Sequence, residues 1–197
     1  MGILRNGYRL CNKMYNKITL KRHGVSIESD YAINGRICVI APPNRIVIGS
    51  KFHCNSGKYH TPIGGDTVAR LVIKEEGNIV IGNNVGISNA TIVSAKKIVI
   101  GNDVLIGGGC KIYDTDFHSI DYENRQSIPD MHIGKKDVYI GDGCFIGGHC
   151  IILKGTVIGK HSVIGAGSVV AGNIPESEIW AGNPARFIRK IESNEIN

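Results

Sequence analysis

The sequence predicts a mainly β protein built as a parallel β-helix, and the pattern of its second half carries that prediction. Aliphatic residues recur every six positions, a glycine follows most of them, and a small residue stands four positions later. The aliphatic members are Ile140, Ile146, Ile152, Ile158, Ile164 and Val170. A period of six fits neither a helix nor an alternating strand. It fits short strands joined by tight turns and stacked so that the aliphatic residues fill the interior.

The same phase occurs earlier, at Ile81, Ile87 and Val93 and, after one extra residue, at Ile100, Ile106 and Ile112. Tight turns also explain the 26 glycines among 197 residues, while only six prolines and a hydrophobic content of 42% favour a packed core over a low-complexity chain. A break in phase over 57–76 predicts a projecting loop. We therefore expect a partly helical N-terminal segment over 1–30, the β-helix over 31–175 and a C-terminal segment over 176–197.

The net charge of +6 belongs to the N-terminal segment. Six basic residues precede the first acidic residue, Glu28, and without them the remaining 17 basic residues equal the 17 acidic ones. A charge-neutral body argues against nucleic-acid binding. Five of the six recur every four residues, roughly opposite an apolar set, which predicts a short basic amphipathic helix over 3–21. The basic set is Arg5, Arg9, Lys13, Lys17 and Lys21, and the apolar set is Leu4, Cys11, Met14, Tyr15 and Ile18.

Cysteine usage and the lack of a long apolar run predict a cytoplasmic protein without disulfides or metal. No apolar run approaches the roughly 20 residues of a membrane span, and the scattered N-terminal charges are not those of a signal peptide. Cys110, Cys144 and Cys150 occupy the small position of the repeat, where a compact apolar side chain fills a corner. No cysteine pair has metal-ligand spacing, so we expect core packing for these three.

The six-residue phase is lost after Ile112 and resumes at Ile140, so residues 113–137 must leave the stack as a loop. His118 is the most informative residue of this loop, because imidazole can transfer protons near neutral pH. Three nearby carboxylates could orient the ring or stabilise its cation: Asp114, Asp116 and Asp121. A solvated surface histidine in an acidic loop is the alternative interpretation.

The C-terminal segment is predicted to carry a short helix. Asn183 can act as the N-cap, with Pro184 at the first helical position. On such a helix Arg186, Arg189 and Lys190 would share one face. That basic face could hold phosphates, or it could simply be solvated.

These residues resemble the hexapeptide-repeat acyltransferases. The order of repeat, histidine-bearing loop, repeat and terminal Gly-x-Pro segment is similar to theirs, and residues 163–170 followed by 181–189 resemble their C-terminal signature. The resemblance covers about residues 78–191 and is greatest to the O-acetyltransferases of surface polysaccharide biosynthesis. It implies a left-handed parallel β-helix, a homotrimer with active sites between subunits, and transfer of an acetyl group from acetyl-coenzyme A to a sugar hydroxyl.

The resemblance also implies roles for individual residues, and it implies no metal. His118 matches the catalytic base, and a backbone N–H near Gly147 or Gly148 matches the donor to the oxyanion. Asn89 is a candidate for acceptor binding. Phe145 stands where the family usually has tryptophan, which keeps an aromatic wall beside the coenzyme without the indole N–H. The residues that match coenzyme-binding positions are Phe145, Gly165, Ala166, Gly167, Arg186 and Arg189.

Other functions remain open at this point. An N-acyltransferase acting on an amino sugar shares the fold and the catalytic histidine, and a structural β-helix trimer shares the fold without chemistry. A γ-type carbonic anhydrase is disfavoured because His118, His132 and His149 lack its histidine spacing. For residues 1–22 there are two hypotheses: peripheral binding to an anionic membrane at its inner face, or packing on the base of the trimer.

Overall fold

The aliphatic repeat folds into short strands separated by turns. The computed structural model describes residues 2–63, 65 and 67–192, and only the backbone of residues 2–6, so the side chains of Leu4 and Arg5 and the end of the C-terminal segment lie outside the described residues. The elements in chain order are α1 (Gly2–Arg22), β1 (Ser26–Ile27), β2 (Ala32–Asn34), β3 (Cys38–Ile40), β4 (Ile46–Ile48), β5 (His53–Asn55), β6 (Arg70–Ile73), β7 (Ile79–Ile81), β8 (Gly86–Ser88), β9 (Thr91–Ser94), β10 (Ile98–Ile100), β11 (Leu105–Ile106), β12 (Lys111–Tyr113), α2 (Tyr122–Gln126), β13 (Val138–Ile140), β14 (Phe145–Ile146), β15 (Ile151–Ile152), β16 (Val157–Ile158), β17 (Val163–Ile164), β18 (Val169–Val170), β19 (Asn173–Ile174), β20 (Glu178–Gly182) and β21 (Ala185–Lys190).

Every third strand joins the same sheet, so the chain winds around three sheets as a parallel β-helix. The first sheet has the order β1-β4-β7-β10-β13-β16-β19, the second β2-β5-β8-β11-β14-β17-β20-β21, and the third β3-β6-β9-β12-β15-β18. Registered pairing stacks the inward aliphatic side chains into columns. The column of the first sheet holds Ile81, Ile100, Ile140, Ile158 and Ile174. These side chains are buried, and each contributes about 1.5–3 kcal/mol of hydrophobic stabilisation. The predicted β-helix is confirmed.

The corner between the first and second sheets carries a ladder of amide and carboxylate side chains. The Oδ1 atom of Asn83 accepts from the Ser50 amide at 2.9 Å, Asn102 Oδ1 accepts from the Asn83 amide at 2.9 Å, and Asp142 Oδ1 accepts from the Asn102 amide at 2.8 Å. The Asn102 amide and the Lys160 ammonium lower the pKa of Asp142. Each rung therefore ties one coil to the next.

The cysteines of the repeat are buried thiols. Cys110, Cys144 and Cys150 lie in the core, as their place in the repeat predicts, and each Sγ donates to a backbone carbonyl of a neighbouring coil at 3.0–3.1 Å. Burial raises the pKa of Cys144 to about 11 and that of Cys54 to about 12. Within the described residues, no group of three or more His, Cys, Asp or Glu side chains is placed to hold a metal ion.

The predicted N-terminal helix forms, but it turns a polar face to the body. Among the described side chains of α1, those of residues 7–22, the buried ones are Asn12, Asn16 and Leu20, and Leu20 caps the core. On the opposite side Met14 and Ile18 are 62% and 59% exposed. Pairing of the two asparagines with the first coil explains this orientation. Helices in the described part of the chain fall short of the length and apolar character needed to cross a membrane.

The predicted C-terminal helix is wrong: residues 178–190 form an antiparallel hairpin of β20 and β21. The Asn-Pro pair that predicted a helix start lies in the connection of this hairpin. Trp180 continues the inward column of the second sheet, packs against the core and meets the Phe187 ring edge to face. Packing of Trp180 over the open end of the coil, with Phe187 against its ring, favours the hairpin over an isolated helix.

Candidate active site

The histidine-bearing loop leaves the body between β12 and β13, at the corner between the third and first sheets. Its first residue, Asp114, is completely buried. The Asp114 carboxylate accepts from Ser94 Oγ at 2.6 Å, from the Ala95 amide at 2.6 Å and from the Lys96 amide at 2.9 Å. This carboxylate therefore fastens the loop to the preceding coil, and it is not the partner of His118 that the sequence predicted.

A short antiparallel ladder closes the base of the loop. The Lys136 amide donates to the Asp114 carbonyl at 3.0 Å, and the Asp116 amide donates to the Gly134 carbonyl at 3.0 Å. The Asp116 side chain pairs with Lys154 of the body at 3.3 Å, so it is also engaged away from His118. The loop thus projects from a fixed base.

His118 is paired with Asp130, at the far side of the same loop. Its Nδ1 atom lies 2.9 Å from Asp130 Oδ2, and the Asp130 carboxylate also accepts from the Ser119 amide at 3.2–3.3 Å. A carboxylate at Nδ1 selects the tautomer with its proton on Nδ1 and leaves Nε2 as a proton acceptor. The His118 side chain is 73% exposed and the Asp130 side chain 17% exposed, so the ring is fixed by a shielded carboxylate while it faces outward.

The tip of the loop is ordered by its own contacts and exposes apolar side chains. Asp121 caps α2 by accepting from the Asn124 amide at 2.9 Å, and Arg125 Nη1 donates to the Ser119 carbonyl at 2.7 Å. Around these polar contacts stand four exposed apolar side chains: Ile120, Tyr122, Ile128 and Met131. Of these, Ile128 is fully exposed in the single chain.

Phe145 stands on the outer face of the second sheet, where a cavity of about 310 Å³ lies between neighbouring coils. The ring of Phe145 forms one wall together with Leu105, and Asn55, Ser88 and Gly107 supply a more polar wall. Leu105 and Phe145 are adjacent in the sheet register. The cavity is therefore half apolar and half polar, as a site for a sugar or a thioester arm requires.

Of the two predicted donors to an oxyanion, the structure leaves one. The Gly147 amide donates to the Ile164 carbonyl at 2.8 Å and is used by the sheet. For the Gly148 amide, no acceptor is found among the described residues. Ile63, from the loop between β5 and β6, lies over Gly148 and Gly108. The Gly148 amide therefore stands at a corner that is partly covered by a second loop.

The predicted coenzyme residues share that corner, between the second and third sheets. Ala166 and Gly167 are exposed, and Gly165 approaches Ala181 so closely that a Cβ on Gly165 would lie 2.8 Å from the Ala181 Cβ. Arg186 pairs with Ala181 across the hairpin, and Arg189 pairs with Ile179. Arg186 thus lies on the edge strand beside the glycine-rich turn, and Arg189 lies farther along the same strand, level with Val163. Both are in a strand rather than on a helix face.

Asn89, the predicted acceptor-binding residue, has a structural role instead. It is 1% exposed, its Oδ1 accepts from the Gly57 amide at 2.7 Å, and its Nδ2 donates to the Gly65 carbonyl at 3.4 Å. The side chain holds the loop between β5 and β6 against the corner. Both polar atoms of the side chain are therefore engaged within the protein.

Comparison with known proteins finds similar acetyltransferases. The family model "Bacterial transferase hexapeptide (six repeats)" matches residues 137–172. A candidate acetyltransferase of Saccharomyces cerevisiae is 44% identical over 119 residues, which are 60% of this chain and 59% of that protein. A candidate lipopolysaccharide-biosynthesis O-acetyl transferase of Escherichia coli K12, WbbJ, is 36% identical over 127 residues, covering 61% of this chain and 65% of its own length. The match spans less than two thirds of either relative.

A solved structure extends the similarity to nearly the whole chain. A maltose O-acetyltransferase from Clostridium difficile 630 superposes with a TM-score of 0.60 at 25% identity, covering 96% of this chain and 89% of that one. The shared fold is the left-handed β-helix.

Proposed function

We propose, from the premise that this chain is a hexapeptide-repeat acyltransferase with a left-handed β-helix, that it moves an acetyl group from acetyl-coenzyme A to a sugar hydroxyl. The pairing of His118 with Asp130 carries the proposal. It supplies a fixed imidazole whose outward nitrogen can accept a proton, on a loop anchored at its base. The likeness to a lipopolysaccharide-biosynthesis relative points to an acceptor in surface polysaccharide synthesis.

In this reaction His118 Nε2 removes the proton of the acceptor hydroxyl as its oxygen attacks the thioester carbonyl. The Gly148 amide donates to the oxyanion of the tetrahedral intermediate, where a fixed donor lowers the barrier. Collapse of the intermediate breaks the carbon–sulfur bond, and the proton held by His118 passes to the leaving thiolate. The products are the acetylated sugar and free coenzyme A.

The donor lies, in this proposal, along the corner between the second and third sheets. Phe145 forms the apolar wall beside the thioester arm, and exposed Ala166 and Gly167 leave room for it. Arg186 and Arg189 lie on the adjoining edge strand, where guanidinium groups can bind the coenzyme phosphates.

We propose that the active protein is a homotrimer with composite sites. Within one chain, His118 projects from the corner between the third and first sheets, whereas Gly148 and Gly167 occupy the corner between the second and third sheets. A second copy that packs beside the first brings one corner of each chain together. The exposed apolar side chains at the loop tip, such as Ile128, fit burial against that copy.

Release of coenzyme A thiol from acetyl-coenzyme A tests this function. Sugar acceptors should accelerate release, and His118→Ala should reduce kcat/KM by about 10²–10⁴-fold while the trimer persists in light scattering. His161→Asn is the matched control, because His161 lies at the corner between the first and second sheets and asparagine tolerates its left-handed backbone. Acceleration by amino sugars alone would indicate an N-acyltransferase. No acceleration by any acceptor would favour a structural trimer.

Mixed trimers test the composite site. His118→Ala and Phe145→Ala variants should each be weak alone and regain activity when refolded together, because one interface then combines an intact histidine with an intact Phe145. A site contained within one chain would show no recovery.

A further inference from the structure

We propose that the cavity between α1 and the first coil binds the phosphate groups of the acceptor, so that the preferred substrate is a sugar carrying a phosphate or diphosphate. This rests on the proposed function for the identity of the substrate, but the site can be tested by binding alone. The cavity has a volume of about 540 Å³ and is separate from the one beside Phe145.

Three cations of α1 line one side of this cavity, and we call Arg9, Lys13 and Lys17 the basic stripe. They are spaced four residues apart, which places them on one face of the helix over about 12 Å. The described lining contains no acidic side chain, and none of the ion pairs found within 4.0 Å among the described residues involves the stripe. The stripe is thus a cationic wall whose charges a bound anion would neutralise.

The helix holds the stripe in a fixed position. Asn16 Nδ2 donates to the Gly35 carbonyl at 2.8 Å, and Asn16 Oδ1 accepts from the Ile37 amide at 3.1 Å. Arg36 Nε donates to Asn12 Oδ1 at 2.9 Å. These buried contacts fix the rotation of α1 about its axis. The backbone that carries the stripe is therefore ordered before an anion binds, which reduces the conformational entropy lost on binding.

The opposite wall offers polar groups that suit a phosphate or a sugar. Ser29, Tyr31 and Asn34 line it, and so does His60. The Nε2 atom of His60 is buried without a hydrogen-bond partner among the described residues. A buried polar atom without a partner is uncommon, and an oxygen of a bound ligand would satisfy it.

The cavity adjoins the one beside Phe145 through a hydrogen bond between their linings. Asn34, in its wall, donates through Nδ2 to Asn55 Oδ1 at 2.9 Å, and Asn55 lines the cavity beside Phe145. Because β2 and β5 are neighbouring strands, adjacent strands of the second sheet line the two cavities. A phosphate on the basic stripe would therefore place its attached sugar toward Phe145.

Two further cations of α1 are not part of this site. Lys21 and Arg22 lie in its last turn, outside the cavity lining, where positive charge complements the helix C-terminus. This difference within one helix gives a matched comparison: Lys13→Gln/Lys17→Gln removes cavity charge, and Lys21→Gln removes charge from the same helix elsewhere.

Calorimetric titration of the full chain with inorganic pyrophosphate tests the site without catalysis. We expect saturable binding that weakens at least tenfold in Lys13→Gln/Lys17→Gln and stays unchanged in Lys21→Gln and in His118→Ala. Absence of saturable binding, or equal weakening in Lys21→Gln, would overturn the proposal. Circular dichroism checks that the variants keep the fold.

Steady-state acetyl transfer then separates this proposal from the proposed function. The ratio of kcat/KM for a nucleoside-diphosphate hexose to that for the free hexose should fall about tenfold in Lys13→Gln/Lys17→Gln and hold in Lys21→Gln. If no acceptor is acetylated but pyrophosphate binding depends on the stripe, the site stands and the proposed function fails. If the free hexose is the better acceptor and the ratio is the same in all variants, the phosphate site fails and the function stands.

Binding to lipid vesicles distinguishes two ligands for the basic stripe: the anionic headgroups of a membrane and the phosphate groups of a soluble substrate. Phosphatidylglycerol vesicles should bind wild-type chain no better than the double variant. If vesicles bind the wild type more tightly, and both the double variant and Lys21→Gln lose that binding equally, the stripe serves a membrane surface and the proposal is wrong.

Discussion

The stacked coils and the loop over residues 114–137 both contain hydrogen-bonded carboxylates, but these carboxylates have different roles in the two regions. In the coils, Asp142 accepts from the adjacent turn, and Lys160 is its ion-pair partner. In the loop, Asp130 accepts from one backbone amide and otherwise faces His118. A carboxylate that accepts hydrogen bonds between coils stabilises the fold, whereas a carboxylate in the loop can hold a reactive side chain. The loop can therefore carry chemistry at little cost to the core.

Truncation of a core residue should have the largest effect on stability. It tests whether the coils, and not the loop, supply most of the stability of the fold. Ile112→Ala removes a fully buried side chain from the inward column of the third sheet, and we expect a loss of about 2–5 kcal/mol in the free energy of unfolding. Urea denaturation measures it. Val157→Ala, at an outward position of the first sheet, is the control and should cost under about 1 kcal/mol. Equal losses would show that the inward column does not dominate stability.

Asp114 joins the two regions, so its replacement should affect both. Asp114→Ala leaves the Ala95 and Lys96 amides without their acceptor, and we expect a loss of about 1–3 kcal/mol in the free energy of unfolding together with lower turnover. Thermal unfolding and coenzyme A release measure the two effects. Asp121→Ala removes only the cap of α2 and should cost about 0.5–1 kcal/mol. A stability loss no greater than that of Asp121→Ala would mean that the base of the loop is held by other contacts.

In the proposed reaction Asp130 positions His118, so its replacement should lower activity without lowering stability. In Asp130→Asn the amide no longer stabilises the imidazolium formed during catalysis, so kcat should fall about tenfold, which is about 1.4 kcal/mol of barrier. The KM for acetyl-coenzyme A should not change, because Asp130 lies outside the donor corner. A raised KM with unchanged kcat would contradict this role.

Cysteine labelling is the prediction with the smallest expected effect. It compares the reactivity of thiols in the buried coils with that of the thiol on the exposed helix. Burial raises the pKa of Cys54 to about 12 and that of Cys144 to about 11, so at pH 8 both stay protonated and unreactive. As pH rises, their thiolates form only near those values. Iodoacetamide at pH 8 should modify Cys11, which is exposed on α1, and peptide mass spectrometry identifies the labelled residue. Labelling of Cys54 in the folded protein would show that the core opens locally.

The sequence predicted the coils because their chemistry repeats. Inward positions such as Ile146 and Ile164 follow the period of six, and the loss of that period located the loop at residues 113–137, close to the observed interval between Tyr113 and Val138. Periodic burial is a local property that a sequence pattern records directly.

Contacts without a period were not predicted correctly. Asp130 is twelve residues from His118, and only the closure of the loop brings the two together, whereas the nearer Asp114 and Asp116 face the body. The pattern of Asn183 and Pro184 serves a hairpin as well as a helix start, and the choice depended on the open end of the coil below Trp180. No signal in the sequence decides either case.

The orientation of α1 shows a third limit. An amphipathic pattern predicts that the apolar face is buried, yet Asn12 and Asn16 are the side chains that face the body. They are buried because they form hydrogen bonds with Gly35, Arg36 and Ile37, between β2 and β3. Specific hydrogen bonds to an exposed backbone edge outweighed apolar burial there.

The ladder of Asn83, Asn102 and Asp142 is one half of a two-way connection between coils. Each of these side chains accepts from an amide of the coil nearer the N-terminus. At the same corner the Asn84, Asp103 and Gly143 amides donate back to carbonyls of the preceding coil, each at 2.8 Å. Loss of a coil from either end of the stack therefore strips an acceptor from a backbone amide, so the stack should resist shortening at both ends.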